Sequence, residues 1–453
     1  MLLTIGAVIV VLGVLIFVHE LGHFIAAKAV GVQVLRFSLG FGKPLVSVRR
    51  GETEYWISML PLGGYVKMAG MEEQEGIAGD LEGGRPTEAV DPARAFDRKP
   101  VWARLVVLLA GVTMNVVLAF VIYATMAATI GTPELATTTI DSVAASQLPA
   151  GAQALAQLHF GDQILRINGD TVRSLDAIQE AVLQQAGELR FDVAGRAAPL
   201  VVRVDSSERT RVALLRALAW LEPPRVGVVV PGMPASRAGL RVGDMIVQVN
   251  GDTARSWSVV LHVLWGSPDK AVQFDVLRGD ALVHLVVTPE RQVEKDSTSP
   301  RPKIYGQIGA ERDPPVMHVR QTLAGAARAG VAQVAFRVRV VAGMLKSLVV
   351  GELSVREIGG PILIAQVSGQ VARLGLERFL DFLAFFSVNL AVLNLLPIPL
   401  LDGGQVVFVL AEGVRRRPLP LNVRMRLQQI GFVLLVCLMI FAIGNDVVRS
   451  FFH

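Results

Sequence analysis

Residues 1–30 read MLLTIGAVIVVLGVLIFVHELGHFIAAKAV, an apolar run that carries His19, Glu20 and His23 near its far end. A run of this length crosses a bilayer as a helix, which needs about 20 mostly apolar residues. On a helix, positions four apart lie one turn above the other, so His19 and His23 share a face and can hold one metal while Glu20 serves as acid/base. A fixed triplet of this kind arises at about one position in 8,000, so a chain this long matches by chance roughly one time in 20. Location adds what the pattern lacks. Three ionisable side chains in a helix of Val, Leu, Ile and Gly are costly in lipid and point to a functional site, against the alternative of a polar cap closing a span.

The 453 residues are 52% hydrophobic, and the mean hydropathy is +0.49. That is too apolar for an ordinary soluble protein, yet long polar tracts remain, so part membrane and part soluble domain is expected. The net charge of +5 is spread without an aromatic-basic nucleic-acid module, which excludes a nucleic-acid partner and leaves the bilayer as the partner of the basic residues. The single cysteine, Cys437, sits in an apolar run, so neither a disulfide framework nor a cysteine zinc site is available within one chain. The N-terminus has no positive region ahead of the motif and reads as a retained span.

Four runs reach spanning length, at about 2–25, 102–127, 377–398 and 429–448. The first and third run in the same direction, so the ends that carry His23 and Asp402 emerge near one face. Lys28, Arg36, Lys43, Arg49, Arg50, Arg94, Arg98, Lys99 and Arg104 follow the first span, and Arg415, Arg416, Arg417, Arg424 and Arg426 lie between the last two. Basic loops stay cytosolic. The site is therefore expected near the cytosolic face, with the stretch from about 128 to 375 outside the cytosol.

After the first span, residues 33–68 alternate, with β-branched and aromatic residues broken by glycine, and predict short strands and turns. An open strand edge there, near residues 55–68, can hold a peptide extended, or the segment is a plain loop. Residues 72–99 read as a flexible polar connection. Phe160-Gly161-Asp162-Gln163-Ile164-Leu165-Arg166-Ile167-Asn168-Gly169-Asp170 recurs at Val242–Asp252, 82 residues on. Each copy predicts a turn, a strand and an Asn-Gly hairpin, in two tandem small domains. Residues 313–350 predict a basic amphipathic helix, lying on the membrane surface or packed as a soluble helix.

The third span ends Asn394-Leu395-Leu396-Pro397-Ile398-Pro399-Leu400-Leu401-Asp402-Gly403-Gly404. Two prolines end the helix and two glycines follow, which predicts Asp402 on irregular backbone. Catalytic zinc takes three protein ligands and keeps a fourth position open. A carboxylate at 402 supplies what a His-His pair lacks.

The two repeats resemble bacterial PDZ domains, the second more closely through Pro234-Ala235-Ser236-Arg237-Ala238-Gly239-Leu240, whereas the first has Gln157 where the second has Gly239. With the His19-Glu20-x-x-His23 motif, Pro61-Leu62-Gly63-Gly64-Tyr65-Val66-Lys67-Met68 and the segment from Asn394 to Gly403, the whole chain resembles the site-2 protease family. One departure is Gly111-Val112-Thr113-Met114-Asn115, where relatives often carry Gly-Pro-x-x-Asn.

The resemblance implies a multi-pass α-helical membrane protein with four transmembrane helices, a cytosolic membrane-associated β-hairpin region, and two tandem PDZ-like α+β domains outside the cytosol. The domains would be 1–127, 128–222, 223–311, a gate segment at 312–376, and 377–453. It implies one zinc ion per chain held by His19, His23 and Asp402, with Glu20 as acid/base. Asn394 would contact substrate, with Pro397, Pro399, Gly64, Tyr65 and Asn389 as further substrate-binding candidates. The implied substrate is a single-span membrane protein of the anti-sigma type, already trimmed by an upstream periplasmic protease in a stress response at the bacterial inner membrane. Clearing of signal-peptide remnants is a second implied task. Two other classes fit parts of the sequence. A non-catalytic PDZ-bearing receptor would need no Glu20, and a metal transporter would spread polar residues along several spans.

Overall fold

The structure is a computed structural model and describes residues 2–71, 91–184, 187–204, 207–230, 232–294, 303–351, 359–417 and 419–452. Most of the polar connection expected at 72–99 lies outside the described residues. The chain forms two units, Met1–Gly131 with Arg320–His453, and Thr132–Val319 between them.

In the first unit, helix α1 (Leu2–Ala29) is followed by strands β1 (Val34–Arg50) and β2 (Thr53–Met68) and helix α2 (Val101–Thr129). The later half contributes α3 (Leu323–Val350), α4 (Pro361–Arg373), α5 (Leu376–Asn394), α6 (Asp402–Arg415) and α7 (Leu421–Phe452). Among the described residues, three helices are long and apolar enough to cross a membrane: Leu3–Ala29, Val101–Thr129 and Asn422–Val447. The segment expected as a span at 377–398 is α5, only 19 residues long and opening with Glu377, Arg378 and Asp381.

Helices α1 and α2 pack closely because glycine faces backbone at their crossing. A Cβ on Gly22 would lie 2.4 Å from the Ala110 carbonyl oxygen, so only hydrogen fits there, as small residues permit in membrane helix pairs. Helix α3 does not start at 313. Residues Val316–Val319 form a strand paired with Thr132–Leu135, and Thr322 caps the helix by accepting from the Gly325 N–H. Helix α3 packs on α2, with Gly330 against Phe120 and Ala124. Its Arg337 pairs with Asp381 of α5 at 2.8 Å. Asp446 of α7, 2% exposed, caps α4 by accepting from the N–H groups of Gly360, Ile362 and Leu363 at 2.9, 3.0 and 3.0 Å.

Strands β1 and β2 each bend back, giving four paired segments. Phe37 faces Val66 on one side and Tyr55 on the other, and Tyr55 also faces Val48. The order is therefore 64–68, 34–39, 53–58, 44–50. This narrows the edge expected near residues 55–68: 53–58 is paired on both sides, and 64–68 lies at one edge, beside α1, with 44–50 at the other. The sheet is tied down by Glu52, which takes a two-pronged bond from Arg94 at 2.6 and 2.9 Å and pairs with Lys28 at the end of α1.

The second unit holds two lobes with separate buried cores, one around Ile164, Ile167 and Phe191 and one around Ile246, Val249 and Phe274. Their four-stranded sheets have the same order. The strand after the hairpin turn lies at one edge, next to the strand before it, then the third and fourth. At both turns the Asn-Gly pair has positive φ, 53° and 91° at Asn168-Gly169, 53° and 87° at Asn250-Gly251, the requirement of a type I′ hairpin. Each asparagine Oδ1 also accepts from the neighbouring strand, Asn168 from the Arg190 N–H at 2.7 Å and Asn250 from the Gln273 N–H at 2.9 Å. The lobes differ before their last strand. The first inserts helix Glu208–Arg216, and the second pairs Glu290–Glu294 with Lys303–Gln307.

Candidate metal centre

Helical spacing brings the two imidazoles edge to face, with ring centroids 4.8 Å apart and planes at 85°, and both residues are buried. From the other end of the chain, α5 stops at Asn394 and the turn through Pro397 and Pro399 leads into α6. Asp402 is the first residue of α6, not part of an irregular stretch as the glycines suggested. Those glycines serve close approach instead. A Cβ on Gly403 would lie 2.3 Å from the Leu395 carbonyl oxygen, and one on Gly404 2.1 Å from that of Ile398. Folding the helix start onto the turn points the Asp402 carboxylate at α1.

Three donor atoms then meet. Nε2 of His19 and Nε2 of His23 are 3.3 Å apart, and Oδ2 of Asp402 is 3.1 Å from the first and 3.5 Å from the second. A tetrahedral zinc about 2.0–2.1 Å from each donor would set such atoms about 3.3 Å apart. Although Oδ2 lies within hydrogen-bonding distance of His19, no hydrogen bond of normal angle reaches this buried atom among the described residues. An orphaned buried carboxylate oxygen is costly. A cation bound by all three atoms removes that cost, so the donor set fits zinc in number, type and spacing. Among the described residues, this is the one group of three His, Cys, Asp or Glu side chains so arranged.

Helix α2 surrounds the histidines. The Val107 carbonyl accepts from Nδ1 of His23 at 2.8 Å, and Asn115 approaches Nδ1 of His19 at 3.2 Å. Between them, a Cβ on Gly111 would fall 2.3 Å from His23 Nε2. Sequence reasoning missed Val107, since a backbone carbonyl leaves no residue-type signal. Gly111 was noted only for the residue that follows it.

Glu20 lies beside the sheet, where a Cβ on Gly64 would come within 3.0 Å of its Cγ, and it is close enough to His23 to interact electrostatically. Asn394 reaches the cluster, its Nδ2 3.3 Å from His19 Nε2. Gln405 donates to the Pro399 carbonyl at 3.4 Å, and Gly431 of α7 packs on the same proline. Other candidates are engaged elsewhere. Asn389 donates to the Phe385 carbonyl one turn back at 3.1 Å. Tyr65 is buried, stacked on Phe41, and accepts from Arg36 at 3.4 Å.

The family model for peptidase family M50 matches residues 7–438. The chain belongs to peptidase family M50. The match runs from within α1 to within α7, so it takes in both histidines, the sheet, both lobes and Asp402. A Ralstonia nicotianae protein that carries a zinc metalloprotease name is 33% identical, over 99% of each chain. The regulator of sigma-E protease RseP of Escherichia coli K12 is 31% identical over 97% of each, and protease RseP of Yersinia pestis 30% over 98% of each. The M50 chain described here is a zinc metalloprotease of the site-2 type, with zinc as its cofactor, and its membrane helices make it a membrane enzyme.

Proposed function

We propose that this enzyme cuts a peptide bond inside the membrane-spanning segment of a single-span protein, with His19, His23 and Asp402 as the zinc ligands and Glu20 as acid/base. The convergence of the three donor atoms beside Glu20 carries this reading. It also weighs against a non-catalytic receptor, which would need no such cluster. Zinc bound there would polarise the scissile carbonyl and supply an activated water. Glu20 takes the attacking water's proton and hands it to the leaving amine. Asn394 is placed to donate to the peptide carbonyl. The outer segment 64–68, running past Glu20, holds the unwound substrate as an added strand.

The distribution of Lys and Arg supports a site near the cytosolic face and the 132–319 lobes outside the cytosol. The lobes, PDZ-like in their repeated order, act as a gate for substrates already trimmed on that side by another protease. Three relatives carry the sigma-E regulator name, which supports an anti-sigma substrate. Reconstituting the protein with a tagged single-span anti-sigma protein, trimmed or whole, and mapping products by mass spectrometry tests the reading. A zinc-dependent cut within the apolar segment of the trimmed form alone is expected. Cuts confined to soluble regions would sink it.

A further inference from the structure

His23 has its tautomer settled by its surroundings. A carbonyl can only accept, so Nδ1 carries the hydrogen directed at Val107 and Nε2 presents its lone pair to the donor cluster. The same demand falls on His19. Its Nε2 is a corner of the triangle, so its Nδ1 must carry hydrogen, and that hydrogen needs an acceptor. The group facing it is the Asn115 side chain, 0% exposed, with Nδ2 at 3.2 Å. Two N–H groups facing each other repel. Meanwhile Asn115 Oδ1, also buried, has no hydrogen-bond partner among the described residues. Amide oxygen and nitrogen differ little in shape and are assigned from the hydrogen-bond network. Half a turn of the amide brings Oδ1 to His19 Nδ1 and satisfies both groups at once. The backbone under this side chain is pinned as well, since Ser387 of α5 donates to the Asn115 carbonyl at 2.8 Å.

We propose that Asn115 is the positioning residue for His19: its Oδ1 accepts the Nδ1 hydrogen and fixes the ring with Nε2 toward the metal. Helix α2 thereby orients both histidines of α1, one through a main-chain carbonyl and one through a side-chain amide. This rests on His19 being a zinc ligand. Partners of this kind hold ring orientation and raise ligand basicity, and their loss costs about 10–100-fold in metal affinity.

The test is zinc affinity of the full chain in detergent, by competition with a chromophoric chelator, for wild type, Asn115→Leu, Asn115→Asp and His19→Ala. Leucine keeps the volume and removes the acceptor, so affinity should fall about 10–100-fold. Aspartate offers only acceptors, and it should stay within about threefold of wild type, in keeping with the carboxylates that often fill this role. Wild-type affinity in Asn115→Leu, or a loss in Asn115→Asp as large as in His19→Ala, overturns the proposal. If the leucine variant does not fold, the aspartate variant decides alone, because an asparagine acting as donor could not be replaced by it. Undiminished affinity in His19→Ala would instead overturn the ligand assignment beneath it.

Discussion

Oδ2 of Asp402 lies 3.1 Å from Nε2 of His19, although their helices stand at opposite ends of the sequence. That oxygen is buried and has no hydrogen bond of normal geometry among the described residues, and a cation shared with the two imidazoles would satisfy it. Asp402→Asn keeps the shape and removes the charge. Its zinc affinity should fall by more than the ~100-fold upper range for an outer-shell partner, and cleavage should fall with it. Metal analysis after dialysis checks this, and a variant that retains one zinc per chain would show that another side chain completes the site.

Glu20 touches the sheet at Gly64 and no corner of the donor triangle is its own. Glu20→Gln should therefore hold zinc as wild type does and lose about 10²–10⁴-fold in cleavage rate, the range for a general acid/base. The two readouts must separate. Parallel loss of metal would make Glu20 a ligand, and retained turnover would remove it from the chemistry.

Gly111 is where α2 passes the imidazoles. A methyl group there would sit 2.3 Å from His23 Nε2 and 2.8 Å from the Cε1 atoms of both histidines. Gly111→Ala should push α2 off α1 or turn the rings. The expected cost is about 1–3 kcal/mol from overpacking, with zinc affinity reduced and helix content by circular dichroism unchanged. Gly13→Ala in α1, where a Cβ meets nothing within 4 Å, serves as the neutral control, and equal behaviour of the two would refute the packing argument.

The meeting of His19, His23 and Asp402 was legible because ionisable residues in apolar runs are few, and because the first and third apolar runs, read as running in the same direction, would end near one face. The Asn-Gly turns were legible because positive φ restricts residue choice at Asn168 and Asn250. Helix α6 was not. Its 14 residues are too short for a span, and the prolines before it and the two glycines in its first turn read as the start of a loop. The doubling back of β1 and β2 was hidden for a related reason. Alternation marks a strand, but it does not say that Phe37 is paired on both sides while 64–68 lies outermost. Pairing depends on long-range register, to which local pattern is blind. The surroundings of Tyr65 were hidden for the same cause, since its neighbours Arg36 and Phe41 come from another segment of the sheet.

Glu52 joins three segments, taking bonds from Arg94 and pairing with Lys28 at the end of α1. The Arg94 guanidinium, with Lys28 second and burial opposing, lowers its carboxyl from 4.5 to about 2. A carboxyl held below its unfolded value stabilises the fold fully above that value. The contribution then drains away as pH falls through the window from 4.5 to about 2. All three groups are partly solvated, so the pair is worth about 1 kcal/mol, the upper end for exposed ion pairs. Glu52→Gln should lower the thermal unfolding midpoint at pH 7 by a small, measurable amount. Across pH 5 to 3 the wild type should lose stability faster than the variant, so the two curves draw together. Curves that stay parallel through that window would mean that the Glu52 carboxylate does not anchor the sheet to α1.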